Sequence, residues 1–127
     1  MEWVNDSKAT NPEATCAAIA GQLRPVVLIA GGDAKGADFS VLKPIVSRHV
    51  RAVVLYGRDS EAIKAVLPQA LPVSCASSMS EAIRYANDFA QANDLVLFSP
   101  ACASFDRYLN YAERGDDFKD SLRRYFH

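Results

Sequence analysis

The sequence predicts an α/β sandwich with a mostly parallel sheet, and two observations carry the prediction. Residues 26–30, 52–56 and 95–98 are continuous apolar runs rather than alternating ones, the pattern of strands buried on both faces. Between them, apolar residues fall at helical spacing, so strand and helix alternate at short intervals and imply right-handed crossovers. The 127 residues are the length of one domain. Such a chain buries roughly two-thirds of its unfolded surface.

In chain order, residues 1–11, MEWVNDSKATN, are mostly polar after the Trp3-Val4 pair and read as an arm or loop. Asn11, Pro12 and Glu13 make a cap-then-proline helix start, and Gly21 ends that helix after Ala20. Pro25 precedes the first strong strand and Gly31-Gly32 follow it. Residues 38–48 suit a helix carrying Phe39, Leu42, Ile45 and Val46, with Pro44 implying a kink or a late start. Gly57 ends the second strand. A helix over 59–67 presents Ala62, Ile63, Val66 and Leu67, and Pro68 closes it. Residues 71–74 read as a short edge strand. Ser80 reads as the cap of a helix over 81–93, with Ala82, Ile83, Ala86, Phe89 and Ala90 inward. After the third strand, 105–114 read as loop and short helix. Asp116 or Asp117 then opens a last helix carrying Phe118, Leu122 and Tyr125.

Composition argues against several function classes. Half the residues are hydrophobic, 23% are charged and the net charge is −1, an ordinary globular balance with no Lys/Arg block to mark a nucleic-acid or anionic-membrane partner. No apolar run approaches the roughly 18–20 residues of a membrane span, and the N-terminus has no basic-then-apolar signal pattern. Cys16, Cys75 and Cys102 are odd in number and widely spaced. That argues against a disulfide framework or a zinc site and fits a reducing cytosol. The two histidines, His49 and His127, have no metal-ligand companion at a recognised spacing.

In parallel sheets ligands sit at the carboxyl ends of strands, so the turns at 31–38, 57–59 and 99–104 carry the candidate chemistry. In Gly31-Gly32-Asp33-Ala34-Lys35-Gly36, the glycines free backbone N–H groups to face an anion and Lys35 adds a point charge. The same residues suit a plain strand–helix turn with Lys35 solvated. The turn is neither GxxxxGK[ST] nor GxGxxG. Residues 99–104, S-P-A-C-A-S, put small side chains and two hydroxyls directly after the most strand-like stretch. Cys102 is either a nucleophile or a small buried side chain. Ser104 either binds a carboxylate or caps a helix. The G-x-S-x-G elbow is absent. Residues 6–11 mix both charges with hydroxyls, as a solvated arm or part of a site. Asp59, Glu61, Asp116, Asp117 and Asp120 read as solvated carboxylates at helix starts and faces.

Taken together, these stretches resemble the Mur ligase family. N-D-S-K-A-T-N at 5–11 is similar to its junction motif, and G-G-D-A-K at 31–35 with A-D-F at 37–39 resembles its C-terminal domain. S-P-A-C-A-S-F-D at 99–106, then Asn110 and E-R-G at 113–115 with Phe118, is the strongest match. Order and spacing resemble the branch that adds D-glutamate, over nearly the whole chain. The resemblance implies a three-domain, ATP-dependent acid–D-amino-acid ligase. Its first domain binds the UDP-sugar and its central one carries the ATP-binding loop. Its C-terminal one, a three-layer Rossmann-like sandwich, closes over the site. This chain would be that third domain, 12–127, with a leading segment, 1–11, from the central domain, and would be inactive alone.

The reaction so implied belongs to peptidoglycan-precursor synthesis in the cytoplasm. ATP, with Mg2+, phosphorylates the carboxylate of UDP-N-acetylmuramoyl-L-alanine, and the amine of D-glutamate attacks the acyl phosphate. By the same resemblance Thr10, Lys35, Ser104, the backbone at Phe105 and the aromatic Tyr111 hold D-glutamate, and the small Ala101, Cys102 and Ala103 leave it room. Asp6 stands towards the ribose and Lys8 towards phosphate. Asp38, Arg58 and Asp59 brace loops. No catalytic residue, metal site or cofactor of its own is implied for this domain, and no nucleic-acid or membrane partner. Phe105 stands where these ligases often carry Leu, and Tyr111 where Phe is usual, which enlarges the apolar wall or adds a hydroxyl. The residues leave two other readings open. One is a stand-alone flavodoxin-like binding module, which would need a phosphoacceptor Asp beside acidic neighbours. The other is a small cysteine-dependent enzyme using Cys102.

Overall fold

A computed structural model describes residues 1–126. His127, read above as lacking a metal-ligand companion, lies outside the described residues. Five strands, β1 (Glu2–Asn5), β2 (Val26–Ala30), β3 (Val50–Tyr56), β4 (Val73–Ala76) and β5 (Leu95–Phe98), form one sheet in the order β1-β5-β2-β3-β4. Every pairing is parallel. Helices α1 (Pro12–Ala20), α2 (Leu42–His49) and α3 (Ser60–Lys64), with a 3-10 turn at Phe39–Val41, cover one face. Helices α4 (Met79–Phe89) and α5 (Tyr111–Tyr125) cover the other. The three-layer α/β architecture expected from the sequence is the one observed.

Strand alternation sorts the core. Val26, Leu28 and Ala30 of β2 face α1 and α2, while Val27 and Ile29 face α4 and α5. Every residue of β2 and β5 is buried, which is why these strands read as continuous apolar runs. The β2–β3 register jumps from Val26↔Val50 to Val27↔Ala52, leaving Arg51 as an extra residue, a bulge. The bulge aims Arg51 at Asp94, with Nε–Oδ2 2.6 Å and NH2–Oδ1 3.0 Å, and the Gln91 N–H donates to the same carboxylate at 2.9 Å. Burial alone would raise the Asp94 carboxyl. The Arg51 and Gln91 hydrogen bonds outweigh it and hold the group below the usual carboxylate range.

Several boundaries differ from expectation. Residues 2–5 are not arm or loop but the edge strand β1, paired to β5. Four residues with one apolar side chain for each face are too few for a pattern. Trp3 meets Phe118 and Phe126 at ring-centroid distances of 6.5 and 5.7 Å, and Val4 packs on the opposite face. Pro44 lies in the first turn of α2, where its missing N–H has no partner to lose, so the helix starts late and is not kinked there. The helix read over 59–67 is only five residues long, and the edge strand is displaced to 73–76. Ser78, not Ser80, caps α4, its Oγ accepting from the Glu81 N–H at 3.1 Å. That helix ends at Phe89, because the Gln91–Asp94 turn then feeds β5. The last helix begins at Tyr111, capped by Asn110, whose Oδ1 accepts from the Glu113 N–H at 2.9 Å. The expected start at Asp116 or Asp117 is thus too late, and Gly115 lies inside the helix. A Cβ there would stand 3.2 Å from both Asn5 Nδ2 and Ser7 Cβ, so glycine lets α5 lie against residues 5–7.

From β2 the sheet grows through β3 to β4, then the chain returns to place β5 on the other side of β2. The turns after β2 and β5 therefore leave in opposite directions. They open a crevice at the carboxyl rim, where ligands of such sheets bind.

Candidate functional site

Close backbone approach shapes the turn after β2. Gly31 has φ 127°, and a Cβ there would sit 2.0 Å from the Tyr56 carbonyl oxygen; one on Gly32 would sit 2.5 Å from that of Ala103. The N–H groups of Gly31 and Asp33 donate to the carbonyls of Pro100 (2.8 Å) and Ala103 (2.9 Å). Those of Ala34 and Lys35 donate to Asp59 Oδ2 (2.7 Å) and Asp33 Oδ1 (3.0 Å). These four donors are taken by the protein's own carbonyls and carboxylates and hold the turn in place, so they are not free for a ligand anion. What the turn offers a ligand is the Lys35 side chain, carried by a residue with φ 50°.

Charged groups hold that turn from the next strand end. Arg58 NH2 lies 2.6 Å from Asp33 Oδ1, and the Arg58 N–H donates to Asp106 Oδ2 at 3.0 Å. Asp33 is thus engaged by a cation, and the carboxylates near it are tied into the loop structure: Arg58 Nε lies 3.8 Å from Asp59 Oδ2, and Asp106 accepts from the Arg58 backbone. Asp38 caps the 3-10 turn by accepting from the Ser40 N–H at 2.9 Å. Asp59 and Asp117 are not simply solvated. Asp59 accepts from Ala34, and Asp117 accepts from the Tyr108 hydroxyl at 2.5 Å.

The chain after β5 is stapled to the chain after β1. The Asp6 N–H donates to the Phe98 carbonyl (2.7 Å) and that of Ala101 to the Ala9 carbonyl (3.0 Å). Ser99 Oγ donates to Asp6 Oδ2 at 3.0 Å. Asp33 and Ala103 exchange both backbone hydrogen bonds at 2.9 Å. Ala101 has φ 65°, uncommon for a residue with a Cβ. Of the three small residues expected to leave room, only Ala103 borders open space. Ala101 and Cys102 pack into the core with Leu28 and Leu97. Cys102 is 1% exposed, and burial pushes its thiol up to about 12 against the opposing pull of Arg114. A thiol so placed stays protonated and out of reach, so Cys102 is no nucleophile.

Thr10, Lys35, Ser104, Phe105 and Tyr111 come together. With Ala103 and Asn110 they line one cleft of about 470 Å3 at the carboxyl rim. The Lys35 ammonium stands 4.9 Å from the Phe105 ring centroid. Phe105 and Tyr111 are exposed and form an apolar wall, while Ser104 is 2% exposed at the floor. Lys35 Nζ, Thr10 Oγ1, Ser104 Oγ and the Phe105 N–H have no hydrogen-bond or ion-pair partner among the described residues. The cleft is therefore rich in free donors. Beside it, a hollow of about 260 Å3 is lined by Lys8, Ser7, Tyr111 and Lys119 among others. Lys8 is exposed there, and Asp6 is half-buried with one carboxylate oxygen on Ser99.

Sequence reasoning missed Arg114 and Ser7. Arg114 is 2% exposed, and its guanidinium donates to Ser7 Oγ (3.0 Å), Ser7 O (2.8 Å) and Cys102 O (3.0 Å). The E-R-G triplet was the available signal, but it carried no sign of burial.

Comparison with known proteins gives the family. The family model "Mur ligase, glutamate ligase domain" matches residues 1–102. A UDP-N-acetylmuramoylalanine–D-glutamate ligase of Bordetella pertussis is 53% identical over 124 residues, covering 97% of this chain and 24% of that protein. The enzyme of the same name from Methylococcus capsulatus is 52% identical over 123 residues (97% and 27%), and that of Coxiella burnetii 46% over 129 (96% and 28%). The chain thus spans 24–28% of the length of these relatives. With the family model matching most of its length, and relatives of one name covering nearly all of it, the chain belongs to the Mur ligase family, in whose glutamate ligase domain it falls.

Proposed function

We propose that this chain is the D-glutamate-binding, C-terminal domain of a UDP-N-acetylmuramoylalanine–D-glutamate ligase, working in peptidoglycan-precursor synthesis in the bacterial cytoplasm. The observation that carries the proposal is the cleft itself: one ammonium, two hydroxyls and one amide N–H, all free, beside an apolar wall. D-glutamate brings two carboxylates, a short alkyl chain and one amine. Lys35 supplies a charge-assisted hydrogen bond, the strong kind. Thr10, Ser104 and the Phe105 N–H donate to the remaining carboxylate oxygens, and the alkyl chain lies along Phe105 and Tyr111. Among the described residues no carboxylate lines the cleft to hold an ammonium, and Lys35 repels one. The amine therefore points outward, free to lose its proton and attack.

In the complete ligase, ATP with Mg2+ supplies the phosphoryl group that activates the muramoyl-L-alanine carboxylate. Lys8 presents its charge towards the nucleotide's phosphates and Asp6 stands on the ribose side; the exposure of Lys8 in the hollow next to the cleft supports this placement. Residues 1–11 lead in from the central domain and 12–127 form the glutamate-binding domain, with the first segment also supplying the sheet's edge strand. The domain alone turns nothing over, because acceleration comes from positioning amine against acyl phosphate.

Lys35→Ala in the complete ligase is the test. Loss of a charged hydrogen bond, about 1.5–3 kcal/mol, raises KM for D-glutamate about 10- to 100-fold, with KM for ATP unchanged. An unaltered KM for D-glutamate removes Lys35 from the site.

A further inference from the structure

Arg114 is a fully buried cation with no carboxylate at ion-pair distance among the described residues; its acceptors are all neutral oxygens. Arginines are almost never fully buried unless paired, and burying one charge unpaired is costly. The three bonds reach two stretches remote in sequence, Ser7 after β1 and Cys102 after β5. Ser7 Oγ in turn donates to the Tyr111 carbonyl at 2.7 Å, in the first turn of α5 itself. A Cβ on Gly32 would stand 3.2 Å from Arg114 NH1, so the guanidinium also abuts the turn that carries Lys35.

We propose that Arg114 is the positioning residue of the cleft, its planar guanidinium locking the Ser7–Thr10 segment, the Cys102–Phe105 segment and the first turn of α5 in one relative placement. Thr10 follows Ser7 by three residues, Ser104 follows Cys102 by two, and Tyr111 precedes Arg114 by three. The donors and the wall therefore hang from backbone that this one group ties together. The inference rests on the D-glutamate reading of the cleft. A lysine keeps the charge but cannot span three acceptors from one plane. A methionine fills part of the volume without fixing either carbonyl.

The test uses Arg114→Lys and Arg114→Met in the complete ligase, with Lys35→Ala beside them. Both Arg114 variants are expected to raise KM for D-glutamate about tenfold or more, as a misplaced ligand contact does, with kcat and KM for ATP changed less than about threefold. If Lys35→Ala raises that KM and the Arg114 variants do not, the positioning role is overturned while the site stands. If Lys35→Ala is silent, the site reading fails, and amide exchange in the 127-residue chain still decides Arg114. Arg114→Met is expected to speed exchange at Ala101 and Ala103 about tenfold or more, leaving β2 and β3 unchanged, as local opening does; equal exchange overturns the tether. Should both Arg114 variants fail to fold, Ser7→Ala leaves the guanidinium both carbonyls and is expected to shift KM and exchange in the same direction. No shift in either overturns the proposal.

Discussion

Phe118 holds α5, and with it the wall of the cleft, to the sheet. Its side chain is 1% exposed, stacks on Phe98 at 4.7 Å with an interplanar angle of 23°, and meets Trp3 of the edge strand at 6.5 Å. Phe118→Ala removes a buried aromatic from between β5, β1 and α5. Such truncations cost about 3–5 kcal/mol, of which about 0.5–1.5 is ring stacking. A chain of this length holds about 6–19 kcal/mol in total, at about 0.05–0.15 per residue. The variant stays folded at room temperature, with a Tm lower by about 15 °C at about 4 °C per kcal/mol. Urea unfolding followed by far-UV circular dichroism gives the free energy. Fluorescence of Trp3, the sole tryptophan, gives a second probe beside the deleted ring. The expected result is a fall of about 4 kcal/mol, coincident transitions and a shifted native emission of Trp3. A loss below about 1 kcal/mol, within the range of ordinary surface changes, with Trp3 emission unmoved, would refute the view that this ring anchors α5.

Asp94→Asn tests the opposite rim. The folded state holds the Asp94 carboxyl below its unfolded value, so its stabilisation is present above the unfolded pKa and is lost as pH falls through the folded one. The stability gap between the parent chain and Asp94→Asn should be full above about pH 5 and narrow steadily below about pH 4; a pH-independent gap contradicts the ion-pair account. For the thiols, iodoacetamide at pH 8 should label exposed Cys75 first, then half-buried Cys16, and Cys102 only on unfolding. At about 12, the Cys102 thiol is ionised in about one molecule in ten thousand, and mass spectrometry showing early labelling of Cys102 in the folded chain would contradict its burial. Gly31→Ala places a Cβ 2.0 Å from the Tyr56 carbonyl at φ 127° and should cost on the order of 3–5 kcal/mol; a soluble variant melting with the parent would show that the turn can relax.

How much of this was legible in the sequence follows from where each signal resides. β2 and β5 are buried on both faces, so every position is apolar and the run announces itself. β1 pairs on one side only and gives each core one side chain, and nothing in Glu2-Trp3-Val4-Asn5 separates it from a loop. The last helix was read as opening only after Gly115, and the reason a glycine sits inside it is tertiary: room for Asn5 and Ser7, more than a hundred residues earlier. The cleft divides in the same way. Lys35, Thr10 and Ser104 stood out by resemblance and by chemical type, since cations and hydroxyls at strand ends are plausible ligands for carboxylates. The glycine turn suggested N–H groups free for an anion, but those of Gly31, Asp33 and Ala34 are taken by Pro100, Ala103 and Asp59, partners that no local pattern reveals. Arg114 was illegible for the strongest reason. An arginine between Glu113 and Gly115 on an amphipathic helix suits a solvated face, and only the convergence of the Ser7 and Cys102 oxygens makes it a buried one. Gly115 and Arg114 then answer one requirement from two sides: the missing side chain lets α5 reach the segment after β1, and the guanidinium beside it fixes the distance at which it stops.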